Sequence, residues 1–411
     1  MLLHRFTAAL VVCCLVSGSA HTQIAVQPDS LKKSQASSAS HAKWYDKISL
    51  RGYSQFRYNR LLETNSDLRC EQCDKGIGKG QSFGFRRGRL VFSGNPHDRI
   101  YLYLQFDYSA DASSTSKHFM QVRDAYIDYS FDKKKMYRLR VGQSKVPYGF
   151  ENLQSSQNRL PLDRSDPLNS AAPNERDMGV YFMYAPEKIR TRFKSLVDNG
   201  LKGSGDYGVL TFGAYNGQAA NKPELNDQLH WVARLSSPFA IGKQVIEPGI
   251  QAYSGQFTLA KDQLTKGVKA KGDLTYTDRR VAGSLVLFPQ PIGIQAEYNV
   301  GESPTFDTRL DSVTVQRLHG GYVTASFRAM VHGGYLLPYI RYQVYNGGKK
   351  LETDARRYEV HETEIGIEWQ PFKNFELTLA YMISQRAYHD FTTKNYDERG
   401  NLLRVQMQVN Y

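Results

Sequence analysis

The chain has 411 residues, with 53 Lys and Arg against 40 Asp and Glu and a formal net charge of +13 at pH 7. Its mean hydropathy is −0.52, yet it holds 27 Tyr and 20 Phe. These values argue against a soluble α/β enzyme, whose buried parallel strands read as continuous apolar runs, and against a helical membrane protein, which needs about 20 apolar residues per span.

Residues 1–20 read as a secretory signal peptide. Arg5 supplies the basic start, Phe6 to Val16 the apolar run, and Gly18-Ser19-Ala20 the small-residue cleavage site. Cys13 and Cys14 raise a lipoprotein as the alternative, but bulky Val12 precedes Cys13 where a small residue is expected. Residues 21–47, rich in Ser, Ala, Gln and Lys without a period, read as a flexible periplasmic leader.

From Ile48 onward period-two segments recur. Ile48, Leu50, Gly52, Ser54, Phe56 and Tyr58 alternate with Ser49, Arg51, Tyr53, Gln55 and Arg57, and similar patterns fill 99–109, 358–370 and 374–386. At the end, Leu403, Val405, Met407, Val409 and Tyr411 oppose Arg404, Gln406, Gln408 and Asn410. Side chains of a strand point alternately to opposite faces, so each segment has one apolar and one polar side. A soluble sandwich shares that alternation. Strand length decides against it, since these runs match the roughly 9–11 residues that cross a bilayer at a tilt. Tight turns such as 95–98, 132–135 and 371–374 alternate with long polar loops, and the last strand can close on the first to leave no edge. The expected fold is therefore all-β: a transmembrane antiparallel β-barrel over 48–411, with 16 candidate strands near 48–58, 83–94, 99–109, 118–131, 136–146, 176–185, 205–215, 228–237, 246–258, 273–287, 292–300, 318–330, 336–346, 358–370, 374–386 and 402–411. The location that follows is the bacterial outer membrane, with lipid against the apolar face. The terminal aromatic strand resembles the signal read by the outer-membrane assembly machinery.

Cys70 and Cys73 stand as Cys-Glu-Gln-Cys in a polar loop. Outside the cytoplasm a disulfide is the leading reading; a redox CxxC or a zinc half-site are the alternatives, the latter lacking a partner pair. No nucleophile, zinc or phosphate-loop motif is present, and His230, His319, His332 and His361 are scattered, so neither an enzyme nor a cofactor or metal is expected. A basic chain also suggests nucleic acid, but export takes the chain away from it, and no nucleic-acid partner is expected.

Strand parity sends Arg51, Arg57, Arg138, Arg140, Arg234, Arg328, Arg341 and Arg404 toward the lumen, and Arg87 and Arg89 stand in the Arg-Arg-Gly-Arg run of the second strand. A cationic lining concentrates small anions without a fixed binding site. The competing reading pairs these cations with Asp107, Asp124, Asp128, Glu297, Glu364 and Glu376. Residues 147–175 form a loop too long for a hairpin, which a pore would fold inward.

Asp124-Ala-Tyr-Ile-Asp-Tyr129, the run from Val141 through Gly142-Gln143-Ser144-Lys145-Val146-Pro147 to Glu151, and Arg176-Asp-Met-Gly-Val180 together resemble the phosphate-selective porin O/P family in order and spacing. The resemblance implies a sixteen-stranded barrel, a homotrimer, an inward third loop and basic residues that guide anions. It also nominates Lys145 as pore-lining, although that residue shares parity with the apolar Leu139 and Val141. The expected function is passive diffusion of small hydrophilic solutes with anion preference, phosphate among the candidates. The alternative is a non-conducting surface barrel that binds a partner through its outer loops.

Overall fold

Alternating side chains set the architecture. A computed structural model describes residues 44–62, 81–109, 119–394 and 396–411. Cys70 and Cys73, the expected signal peptide and nearly all of the expected leader lie outside the described residues.

The strands are β1 (Ile48–Leu61), β2 (Gln81–His97), β3 (Ile100–Ser109), β4 (Phe119–Ser130), β5 (Tyr137–Lys145), β6 (Arg176–Tyr184), β7 (Leu210–Tyr215), β8 in two pieces (His230–Ser236 and Phe239–Ile241), β9 (Gln244–Thr258), β10 (Thr275–Leu287), β11 (Ile292–Asp307), β12 in two pieces (Ser312–Phe327 and Ala329–Val331), β13 (Gly334–Gly348), β14 (Arg357–Phe372), β15 (Phe375–His389) and β16 (Tyr396–Asn410). Both pieces of β8 pair with β9 and both pieces of β12 pair with β13, so the 18 segments of the sheet make 16 barrel strands. Neighbours are antiparallel throughout, and β1 closes the ring by pairing with β2 on one side and β16 on the other, Tyr53 opposite Asn410 and Leu61 opposite Leu402. At the seam, Gly52 and Tyr411 exchange backbone hydrogen bonds. A Cβ at Gly52 would lie 2.3 Å from the Arg89 carbonyl oxygen, so only glycine fits there.

The outer face is apolar and exposed: Leu50, Phe56, Phe92, Val141, Trp231, Ile340, Ile365, Leu379 and Met407 all point outward. The inner face buries Arg57, Arg89, Arg234, Arg341 and Arg404. This inverts the pattern of a protein surrounded by water, and a closed barrel in lipid is the arrangement that satisfies both faces. Ring contacts gather at both ends of the outer wall, Tyr58 with Phe83 and Phe85 with Tyr108 at one, Phe131 with Phe182 and Phe372 with Phe375 at the other. Such rings settle at the lipid–water boundary. No helix among the described residues is long and apolar enough to cross a membrane.

Two features depart from the sequence-based expectation. The connection between β6 and β7 lies on the turn side of the barrel, with Tyr411, yet it spans 185–209 and carries a helix, α3 (Glu187–Asp198). Two single-turn helices, α1 (Phe150–Leu153) and α2 (Asp166–Asn169), precede it in the third loop. The second departure is in β5. Gly142 takes φ +125°, the alternation breaks there, and Lys145 is buried with its ammonium on loop carbonyls instead of sharing the lipid face with Val141. Parity is informative only as far as the nearest irregular backbone residue.

Candidate functional site

The third loop, residues 146–175 between β5 and β6, makes its polar contacts with inward-pointing side chains far around the ring. The backbone N–H groups of Phe150 and Glu151 donate to Glu297 on β11 at 2.6 and 2.8 Å. Arg341 on β13 pairs with Glu151 at 3.0 Å, and Arg386 on β15 with Asp166 at 2.9 Å. Arg280 on β10 donates to Ser170 Oγ at 2.8 Å, and Gln55 on β1 to the Ser156 carbonyl at 3.3 Å. Internally, Ser165 donates from N and Oγ to Glu151. Polar residues in a loop normally face water. Here Glu151 and Asp166 are buried because barrel side chains supply their partners, and Ser165 because Glu151 accepts from it.

The charges in this region are unequally matched. Asp163 meets Arg57 at 2.8 Å, Arg86 at 3.3 Å and Arg404 as well, three guanidinium groups on one carboxylate. Glu175 is met by Arg123, Arg164 and Arg176, of which Arg176 also holds Asp124 at 2.9 Å and Arg123 approaches Asp107 at 3.8 Å. Burial alone would push both carboxyls up. Arg57, Arg86 and Arg404 around Asp163, and Arg164, Arg123 and Arg176 around Glu175, outweigh it and hold each well below the ordinary carboxylate range. Three further buried cations have no carboxylate partner among the described residues. Arg87 donates to Ser156 Oγ, Lys145 to the carbonyls of Leu153 and Gln154, and Arg159 to those of Pro161 and Leu162, with its Nη1 unpartnered. Taking a cation out of water costs several kcal/mol unless an anion compensates it. The third loop and the β1–β6 wall therefore carry uncompensated positive charge.

Most of the arginines nominated from parity do find partners. Arg89 pairs with Asp107 at 3.3 Å and Arg140 with Asp128 at 2.7 Å, while Arg138 pairs with Asp206 at 2.7 Å and Arg234 with Glu247 at 3.1 Å. Arg341 also reaches Glu364 at 3.7 Å. Arg51 and Arg328 stand elsewhere, at the turn end, over the rings of Tyr103 and Tyr335. The sequence reading missed Arg280 and Arg386, which point inward from regular strands, and Arg123, Arg159, Arg164 and Arg176, which sit at a bulge, in the loop or at a strand end. For Arg159, Arg164 and Arg176 the one signal in the sequence was the density of arginine between 159 and 176. Among the described residues no group of His, Cys, Asp and Glu is placed to hold a metal ion.

A polar lumen inside an apolar wall is what an aqueous pore requires, and comparison with known proteins gives the pore its kind. Residues 62–411 match the family of phosphate-selective porins O and P. The chain belongs to this family. It is an outer-membrane porin, a channel. No curated protein matches it in sequence. Among solved structures, the outer membrane channel DcaP of Acinetobacter baumannii is similar over 89% of this chain and 97% of its own, at 13% identity and a TM-score of 0.54. The anion-selective porin from Comamonas acidovorans is similar over 89% of this chain and 99% of its own, at 9% identity and a TM-score of 0.50. OmpF of Salmonella typhi, in complex with daunomycin, covers 89% of this chain and 97% of its own at 12% identity, also with a TM-score of 0.50. At such identities these likenesses establish the barrel fold of the porin.

Proposed function

We propose that the porin passes small anions in preference to cations, and that its third loop, folded into the lumen, carries the residues that set the preference. The observation that supports this most directly is the sharing of Asp163 by three guanidinium groups. Arg87, Lys145 and Arg159 add charge with no carboxylate of their own. An anion moving through such a field replaces hydration that the buried cations have lost, while a cation is repelled. Inorganic phosphate is one anion that guanidinium groups suit, because their fork geometry matches its oxygens. The reading extends to the rest of the chain: residues 1–20 as the export signal cleaved after Ala20, 21–47 as a leader, assembly through the last strand, and association into a homotrimer.

Purified protein in a planar bilayer tests the reading. Stepwise conductance and a reversal potential of anionic sign in a potassium chloride gradient are expected, and Arg87→Gln with Arg159→Gln shifts that potential toward the cationic side. A barrel that does not conduct supports a surface-binding role instead, and a cation-preferring wild type overturns the anion assignment.

A further inference from the structure

The connection between β6 and β7 is on the turn side of the barrel, the periplasmic side in outer-membrane barrels, where connections are ordinarily short. Here residues 187–208 do not hang free. α3 turns Phe193 and Leu196 inward, and both are buried; Leu196 and the following Leu201 pack with Phe150 of the third loop and with Val286 and Phe288 at the end of β10. Glu187, Lys188, Lys194 and Asp198 stay exposed on the opposite face.

The polar contacts trace where the segment lies. Asp206 accepts from Arg138 on β5, the Gly208 carbonyl from Arg234 on β8, and the Asn199 carbonyl from Arg328 within β12. Lys202 is buried against Glu368 on β14, while its carbonyl accepts from Gln154 of the third loop at 2.6 Å. The segment thus meets the inner wall from β5 round to β14. Beside the segment, from β12 round through β16 to β3, is a cavity of about 680 Å³ whose lining includes Tyr335, Gln370, Glu376, Arg51 and Gln105, with Asn199 and Lys202 of the segment on its border.

We propose that residues 187–208 form a second constriction element, on the periplasmic side, that closes the lumen from β5 round to β12 and leaves the Arg51 vestibule as the exit. The element is seated by the Lys202–Glu368 pair and by the Leu196 contacts. A buried pair of this kind holds a register more than it adds stability, and breaking it leaves a charge that must reach water. The segment can reach water simply by leaving its seat, since its other face is already polar. This rests on the porin conducting at all.

The test uses the full-length porin in bilayers, with polyethylene glycols of graded size added from the periplasmic side only. In Lys202→Glu, the reversed charge faces Glu368 and expels the segment. In a second variant, a short Gly-Ser turn replaces residues 187–207. Both are expected to admit larger polymers from that side and to raise conductance by at most about two-fold, since the third loop still narrows the path in series. Heat-modifiable gel migration shows that each barrel has folded. If the shortened variant does not fold, Lys202→Glu decides alone, because it changes no wall residue. An unchanged polymer cut-off and conductance in a folded, conducting variant overturns the second constriction. A wild type that does not conduct overturns the transport reading itself.

Discussion

Replacing Asp163 by Asn removes the one carboxylate that Arg57, Arg86 and Arg404 share, while keeping the side chain's shape. The three guanidinium groups then carry one more uncompensated positive charge into the lumen. For an anion passing about 6 Å away through water-like dielectric, that charge is worth about 0.7 kcal/mol. The anion gains about three-fold and a cation loses about three-fold, so the permeability ratio rises by up to about ten-fold. The same change costs stability, about 3–5 kcal/mol for a broken buried pair, part of which the loop recovers by letting the arginines reach water. Reversal potentials in a salt gradient read the ratio, and the temperature of heat modification on gels reads the stability. An unchanged or lower ratio in folded Asp163→Asn would refute the claim that these arginines face the permeating ion.

Two further outcomes follow from the same charges. Arg341 is matched by Glu151 and Glu364, so Arg341→Ala is expected to lower the heat-modification temperature and, by freeing two carboxylates, to weaken anion preference, in contrast to Asp163→Asn. An anion preference that rises in Arg341→Ala would contradict this. The second concerns acid. Asp163 and Glu175 have folded-state pKa values below their unfolded ones, so their contribution to stability is complete above the unfolded value near 4 and is lost only as pH falls through the lowered folded value. At pH 4 the arginine pairs of Asp163 and Glu175 therefore persist while ordinary exposed carboxylates gain protons, and anion preference is expected to increase between pH 7 and pH 4. A fall in preference over that range, measured by reversal potential, would show that the loop had come loose.

The barrel was legible because a lipid-facing strand has to alternate. Each expected strand has its counterpart, with shifts mainly at the ends, such as β16 beginning at Tyr396 instead of 402. What alternation could not reveal was anything outside regular strands. Gly142 reverses the parity that placed Lys145, and the break at Ser237-Pro238 splits β8 in a way that pattern alone does not mark. The helix was missed although Ile189, Phe193, Leu196 and Val197 carry a helical period, because a long turn-side connection is unexpected in a porin.

The site was harder for a different reason. A sequence counts charges, and function here depends on how they are shared. Arg140 and Arg57 both satisfy the rule that lumen side chains alternate with lipid-facing ones. Arg140 has Asp128 to itself, by two hydrogen bonds of 2.7 and 2.9 Å, and its field is spent locally. Arg57 divides Asp163 with two other arginines and keeps part of its charge for whatever passes. The difference lies in a loop residue separated from Arg57 by more than a hundred positions, so no reading of the strand alone can supply it. It follows that substitutions in the third loop should move selectivity more than equal changes of charge on the walls.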